Sequence, residues 1–362
     1  MKLSIIIVSY NTKELLEDCL ESIVNSLTSK RGLKFATDKK NPNFGVANFN
    51  SRQNSRRLKS ANSGKKDKLS LNDLEVIIVD NNSTDGSQEY LGKLKTQNSK
   101  LKTETQSSKL KNKSEKQLPN LKIILNDENA GFAKANNQGI KKARGEYVLF
   151  LNPDTVVYPN TLYKTINYLA QHEDVGLITC RVELADGSLQ KECHRGFPTP
   201  WRAFCHFSGL GKIFPNSRIF SSYFLGHLPK NTVHEIDACV GAFMMTKKEV
   251  GNKIGWWDED FFWYGEDLDF CYRVKRSGLK VIFYPKVKIT HYQGASSGIK
   301  KTKSKANKET KKKVMKASVG AMRIFYQKHY QNKYPKIIGF LVMKGIVLLE
   351  KFRLWSVERQ FK

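Results

Sequence analysis

Two stretches of the 362-residue sequence hold residue types that could do chemistry. The first is GEYVLFLNPD, from Gly145 to Asp154. Its apolar run Tyr147–Leu151 stops at Asn152-Pro153-Asp154, which fits a strand buried on both faces and ended by a turn. A carboxylate just past the C-terminal end of such a strand lies where open α/β sheets bind ligands. Asp154 is short enough to hold a hard divalent cation rigidly, or it opens the next turn and nothing more. The second stretch, Gly255–Asp269, alternates Trp256, Trp257, Phe261, Phe262, Trp263 and Tyr264 with Asp258, Glu259, Asp260, Glu266, Asp267 and Asp269. Aromatic flanks desolvate a carboxylate and raise its pKa, which suits a general base. Acids in the first turn of a helix running to Ser277 are also favoured by the helix dipole, so capping is the competing reading. His291 stands at a strand end, where it would be a second ligand if a cation is held nearby.

The elements that must position these groups can be read in order. Leu3–Ser9 reads as a buried strand, with Asn11 as N-cap and Glu14 three residues on. Apolar residues from Leu15 to Leu27 then recur at helical spacing. Glu75–Asp80 is a second strand ending in an acid, followed by a turn-rich segment and a short helix over 88–94. Leu121–Leu125 is a third strand, and Asn129-Ala130-Gly131-Phe132 opens a helix through Lys142. The stretch at Tyr147–Leu151 is the fourth. Strand and helix alternating in this way predict a mainly parallel, doubly wound α/β sheet. Right-handed crossovers put all four C-terminal strand ends on one edge, so Ser9-Tyr10-Asn11, Asp80, Asn129 and Asn152–Asp154 converge. The first turn lacks the glycines of a dinucleotide-binding or P-loop motif. Further on, Ile236–Thr246 reads as one strand bent at Gly241, and Leu279–Tyr284 and Val287–His291 read as two more.

Charge divides the chain. The net charge is +28, but residues 30–72, 95–118 and 300–316 carry +10, +5 and +8, leaving about +5 for the rest. The first two segments are rich in Lys, Ser and Asn and poor in aromatics, and are expected to be disordered insertions. Residues 300–316 are expected to be a basic linker or loop. Such segments attract phosphate of nucleic acid or of an anionic membrane surface, but no RNA- or DNA-binding signature is present, so nucleic acid is not expected as a partner. The six cysteines form no CxxC pair, which points to reduced thiols in a cytosolic protein. Cys193-His194 and Cys205-His206 match no common zinc spacing. No signal peptide is expected at the start of the chain, and no run of about 18 apolar residues predicts a membrane span. The apolar segment Ile337–Leu349, flanked by Lys333, Lys336, Lys351 and Arg353, reads either as a helix in a membrane interface or as one packed on the rest of the protein.

With these residues in view, the chain resembles the family 2 glycosyltransferases of the GT-A fold, and within them the bacterial rhamnosyltransferase-like branch. The resemblance rests on SIIIVSYN, EVIIVDNNSTDGS, NAGFAKANNQGI, GEYVLFLNPD, VGAFMM, WWDEDFFWYGEDLDFCYR, and His291 followed by Gly294 and Ser296, all in order over residues 1–295. It implies a GT-A domain over 1–299, broken by the basic insertions; beyond it, Ala317–Tyr330 reads from its own pattern as a helix broken at Pro335, within a helical region over 317–362. It implies that Ser9, Tyr10, Asn11 and Asp80 hold the nucleotide, and that Asn129, Gly131, Lys134, Asn136 and Asn152 line the donor site. Asn152-Pro153-Asp154 stands where the family carries a D-x-D-like motif. With Asn in place of the first acid, Mg²⁺ or Mn²⁺ would lean on Asp154 and His291. Asp267 would be the base with Glu266 beside it, and Trp263, Tyr264 and Asp269 would face the acceptor.

The activity implied is inverting sugar transfer from dTDP-rhamnose or a UDP-sugar to a glycan or polyprenyl-lipid-linked acceptor in cell-surface polysaccharide synthesis. That activity would sit in the cytoplasm or on the inner face of the membrane. A nucleotidyltransferase-type enzyme and an RNA- or anionic-lipid-binding protein are the competing classes. The former should begin with a Gly-rich first turn, which is missing.

Overall fold

The computed structural model describes residues 1–28, 69–104, 118, 120–293 and 308–360. The chain runs β1 (Leu3–Ser9), α1 (Lys13–Thr28), β2 (Leu74–Asp80), α2 (Ser87–Glu104), β3 (Leu121–Leu125), α3 (Phe132–Ile140), β4 (Tyr147–Leu151), β5 (Thr155–Val157), α4 (Thr161–Gln171) and β6 (Val175–Glu183). It continues through α5 (Pro200–Phe207), α6 (Leu210–Ile213), β7 (His234–Ile236), β8 (Phe243–Lys247), α7 (Lys248–Ile254), α8 (Glu266–Arg276), β9 (Lys280–His291), α9 (Lys308–His329) and α10 (Lys336–Gln360).

One nine-stranded sheet has the order β3-β2-β1-β4-β8-β6-β9-β5, with β7 paired to β9. Strands β3, β2, β1 and β4 are mutually parallel, as the alternating pattern requires. Every residue of β1, β2 and β4 is buried, because helices cover both faces of a parallel sheet. The register pairs Ser9 with Asp80, so these strand ends are level and open on one edge. Beyond β4 the sheet becomes mixed. Strand β8 runs antiparallel to both β4 and β6, and β5 and β7 run antiparallel to β9.

Several expectations are revised. The single strand over 236–246 is two: β7 pairs with β9, while β8 inserts between β4 and β6, with the chain turning through 237–242. The two strands over 279–291 are one, β9, with a register irregularity opposite Cys180/Arg181. The helix over 88–94 extends to Glu104, so only 105–117 of the second basic segment falls outside the described residues, as do nearly all of 30–72 and 300–307 of the third. Residues 308–316 are helical. Gly294 and Ser296 are also outside the described residues.

The C-terminal helices dock through a small separate core. Phe325 and Tyr326 of α9 and Tyr330 just after it meet Phe261 and Tyr272 of the sheet-bearing part of the chain, and α10 packs on α9 in turn. Of the two readings of residues 337–349, the structure shows the packed helix: α10 is held on α9, with only Ile346 and Val357 of it buried. All six cysteines are buried free thiols.

Candidate active site

A cleft of about 630 Å³ lies over the C-terminal edge of the parallel strands. Two clusters of titratable side chains line it, each placed by a different device.

The first is built by β5 and β9. Their antiparallel register sets Thr155 opposite His291, and the Tyr292 N–H donates to the Asp154 carbonyl at 2.9 Å. Asp154 and His291, 137 residues apart, are therefore cross-strand neighbours, and Asp154 Oδ1 lies 3.1 Å from His291 Nε2. Both are buried. His291 Nδ1 lies 2.7 Å from Gln190 Oε1. An amide oxygen only accepts, so Nδ1 carries the proton. Nε2 then either carries a second proton that it donates to Asp154, or presents a lone pair that a cation shared with the carboxylate would take. Asn152 Nδ2 lies 3.3 Å from the same Nε2, and Asn152 Oδ1 is buried with no partner. A carboxylate, an imidazole nitrogen and an orphaned amide oxygen together suit a divalent ion whose remaining positions are filled by phosphate and water. Among the described residues no group of three or more His, Cys, Asp or Glu gathers for a metal, here or elsewhere, and the Cys193-His194 and Cys205-His206 pairs do not assemble one.

The second cluster sits on the first turn of α8, after Gly265 in the left-handed region at φ 85°. Asp267 accepts from Arg195 Nη2 at 2.8 Å through Oδ2 and from the Leu268 N–H through Oδ1. Arg195 is pinned by its two-way backbone pairing with Ala238. Burial works against its charge, but the Asp267 carboxylate beside it more than offsets this and raises its pKa. Glu266 lies next to this pair with Oε2 buried and unpartnered. Burial, and then the negative Asp267, push its carboxyl up to about 8, so it is largely protonated at neutral pH.

The aromatic loop before α8 closes onto the donor edge. The Phe132 N–H donates to the Phe262 carbonyl at 3.2 Å, and a Cβ at Gly131, which has φ 82°, would come within 2.9 Å of that oxygen. Only glycine fits there. Asn81 Nδ2 donates to the Gly131 carbonyl, and Asn129 Oδ1 accepts from the Gly131 N–H, tying the loop after β2 to that after β3.

Of the sequence-predicted residues, Tyr10, Asn129, Gly131, Asn152, Asp154, Trp263, Tyr264, Glu266, Asp267 and His291 line this one cleft. Six do not. Asp80 is fully buried, its oxygens accepting from the Ser83 N–H, Ser83 Oγ and Gln88 Nε2. Asn81, the next residue, reaches the cleft instead. Ser9 Oγ is bonded to Thr12. Asn11 is not the cap of α1. It adopts φ 53° and accepts from the Thr84 N–H, while Asp85 accepts from the Lys13 N–H. Asn136 bonds back to the Phe132 carbonyl within α3, and Lys134 is exposed on the far side of that helix turn. Asp269 is fully buried in ion pairs with Arg273 and His329, which ties α8 to α9 and turns it away from the cleft.

Arg195 and Gln190 were not anticipated. Both lie in 184–199, a segment without helical or strand periodicity, and no spacing signal marks them.

Residues 55–255 match the family model described as "Glycosyl transferase family 2", more than half the chain. The chain belongs to that family. Its sheet and helices are those of the GT-A fold, and it is a glycosyltransferase. Among curated relatives, it is 28% identical over 182 residues to the O-antigen biosynthesis protein RfbC of Myxococcus xanthus, covering 49% of this chain and 13% of that one. It is 27% identical over 171 residues to rhamnosyltransferase WbbL of Escherichia coli, covering 45% and 61%. It is 21% identical over 236 residues to the N-acetylglucosaminyl-diphospho-decaprenol L-rhamnosyltransferase of Mycobacterium tuberculosis, covering 62% and 68%. The chain thus spans less than two thirds of the first two relatives.

Proposed function

We propose that this glycosyltransferase moves a sugar from a nucleoside-diphosphate donor, dTDP-rhamnose or a UDP-sugar, onto a glycan or polyprenyl-lipid-linked acceptor, with inversion at the transferred carbon. The observation that carries this reading is the pairing, in one cleft, of a cation-seeking site at Asp154 and His291 with an Arg-held carboxylate at Asp267. The donor lies along Tyr10, Asn81, Asn129, Gly131 and Asn152, framed from beneath by Ser9, Asn11, Asp80 and Asn136. Asp154 and His291, with Asn152, would hold Mg²⁺ or Mn²⁺, which when bound neutralises charge on the diphosphate leaving group.

The chain's own groups do the rest. Asp267 takes the proton of the acceptor hydroxyl as that oxygen bonds to the anomeric carbon and the carbon–phosphate oxygen bond breaks. One such displacement from the face opposite the leaving group inverts the centre. Arg195 on Oδ2 and the Leu268 N–H on Oδ1 fix the carboxylate's orientation, and the second lone pair of Oδ1 takes the proton. Glu266, protonated, adds no negative charge beside it and can donate to an acceptor or sugar hydroxyl. Trp263 and Tyr264, stacked at 5.8 Å with 4° between their planes, offer a flat wall for a sugar ring. Polysaccharide synthesis at the cytoplasmic face of a membrane is the setting this reading implies.

Thermal-shift screening of nucleotide sugars with and without Mn²⁺, followed by a transfer assay with the stabilising donor, tests it. A Mn²⁺-dependent shift with one donor and transfer from that donor support the reading. No shift with any nucleoside-diphosphate sugar overturns it.

A further inference from the structure

The cleft has a second arm. Beyond Asp267 it is walled by Ala203, Phe207, Phe224, Met322, Val342 and Ile346, contributed by α5, the 208–233 segment, α9 and α10. A polar donor end and an apolar far end share one space.

The two elements that frame the far end both present bare apolar surface. On α10, Ile337, Phe340, Leu341, Val347, Leu348, Phe352 and Trp355 are all exposed. At 100° per residue they fall within a single stripe, and the two buried residues, Ile346 and Val357, lie on the opposite side. The helix is therefore packed on one side only, with Leu348 66% and Phe352 62% exposed. On the other lip, Trp201, Phe204 and Phe207 of α5 and Ile213, Phe214 and Ile219 just beyond are exposed as well. Trp201 contacts Phe204 and Phe220, and Phe220 contacts Phe214, so the knuckle is a preformed aromatic surface. The lips are neighbours. Arg353 of α10 and His206 of α5 line the same cleft.

Charge names the occupant. Lys336, Lys344, Lys351 and Arg359 of α10 and Lys333 before it are exposed, with Lys344 over the Phe340 ring and Arg359 over Trp355. The helix's two acids, Glu350 and Glu358, are turned to Arg323 and Lys312 of α9. Lys212 and Arg218 add cations at the knuckle. Apolar and aromatic side chains interleaved with cations, on a helix too short in apolar length to cross a membrane, suit the interface of an anionic bilayer.

We propose that α10 and the α5–α6 knuckle seat the cleft mouth on an anionic phospholipid bilayer, so that the lipid end of an acceptor enters the apolar arm directly from the membrane. This deepens the sugar-transfer reading and rests on it for the acceptor, but the docking surface stands on its own observations.

Co-sedimentation of the full chain with phosphatidylglycerol/phosphatidylcholine vesicles, against phosphatidylcholine alone, tests it. Leu348→Glu/Phe352→Glu on one lip and Trp201→Glu/Phe214→Glu on the other change exposed residues outside the cleft. Each pair is expected to weaken vesicle binding at least tenfold. The shift with nucleoside diphosphate and Mn²⁺ should stay that of the parent protein, which also reports that the variants fold. Parent-like sedimentation of both pairs, or binding lost in moderate salt but indifferent to both pairs, overturns the proposal. So does a lipid-free dimer that Leu348→Glu dissociates, since a second copy would then cover the stripe. Failure of vesicle binding with the nucleotide shift intact removes the docking face and leaves sugar transfer untouched.

Discussion

The two ends of the cleft hold the same functional group in opposite settings. At one end Asp154 faces the His291 imidazole, a group that carries no permanent positive charge. At the other, Asp267 is bonded to a buried guanidinium that is part of the fold. The first needs a cation that can come and go with the diphosphate. The second carries its cation permanently, so its carboxylate is oriented whether or not substrate is bound. A transferase needs both: a charge sink for a leaving group that departs each turnover, and a base that is ready each time.

If this contrast is right, the two ends should fail differently. Asp267→Asn should have the largest effect on turnover, a loss of about 10²–10⁴ in kcat with donor KM little changed, read by initial-rate kinetics. A rise in donor KM matching the fall in kcat would place Asp267 with the donor instead. Gln190→Leu should act at the other end alone. It removes the partner that fixes the His291 tautomer, and should weaken Mn²⁺ binding by about 10–100-fold by titration calorimetry while kcat at saturating Mn²⁺ recovers.

The smallest effect concerns Glu266. Its carboxyl is raised by burial and then by Asp267 from the ordinary 4.5 to about 8, so the folded protein keeps a proton that the unfolded chain releases. The stability tied to that proton is fully present below about pH 4.5 and is lost as pH rises through about 8. The kcat/KM profile should accordingly fall near pH 8, and Glu266→Gln should remove that limb while leaving the rate at pH 7 within a few-fold. A limb that persists in the variant would assign it to another group.

Much of this contrast was legible from the sequence, though unevenly. The parallel half of the sheet follows from buried apolar runs ended by polar turns, and the level strand ends at Ser9, Asp80 and Leu125 follow from the crossover rule. What could not be read was which strand-end acid faces the cleft. Asp80 and Asp154 look alike in sequence, but the turn after Asp80 supplies Ser83 and Gln88 as donors and consumes its carboxylate. The Asp154–His291 meeting depends on the β5–β9 register across more than a hundred residues, which no local pattern encodes. Arg195 reaches Asp267 through one isolated bridge to Ala238. Asp269 shows the limit of reading an acid cluster: three carboxylates within one helical turn point to different neighbours, and one of them holds α9 in place.

The most direct test of the two-ended cleft is titration of a nucleoside diphosphate into the parent protein, Asp154→Ala and Asp267→Asn, each with Mn²⁺ and with EDTA. Binding should require Mn²⁺ in the parent, be lost in Asp154→Ala, and survive in Asp267→Asn. Equal affinity in EDTA and Mn²⁺, unaffected by Asp154→Ala, would contradict it.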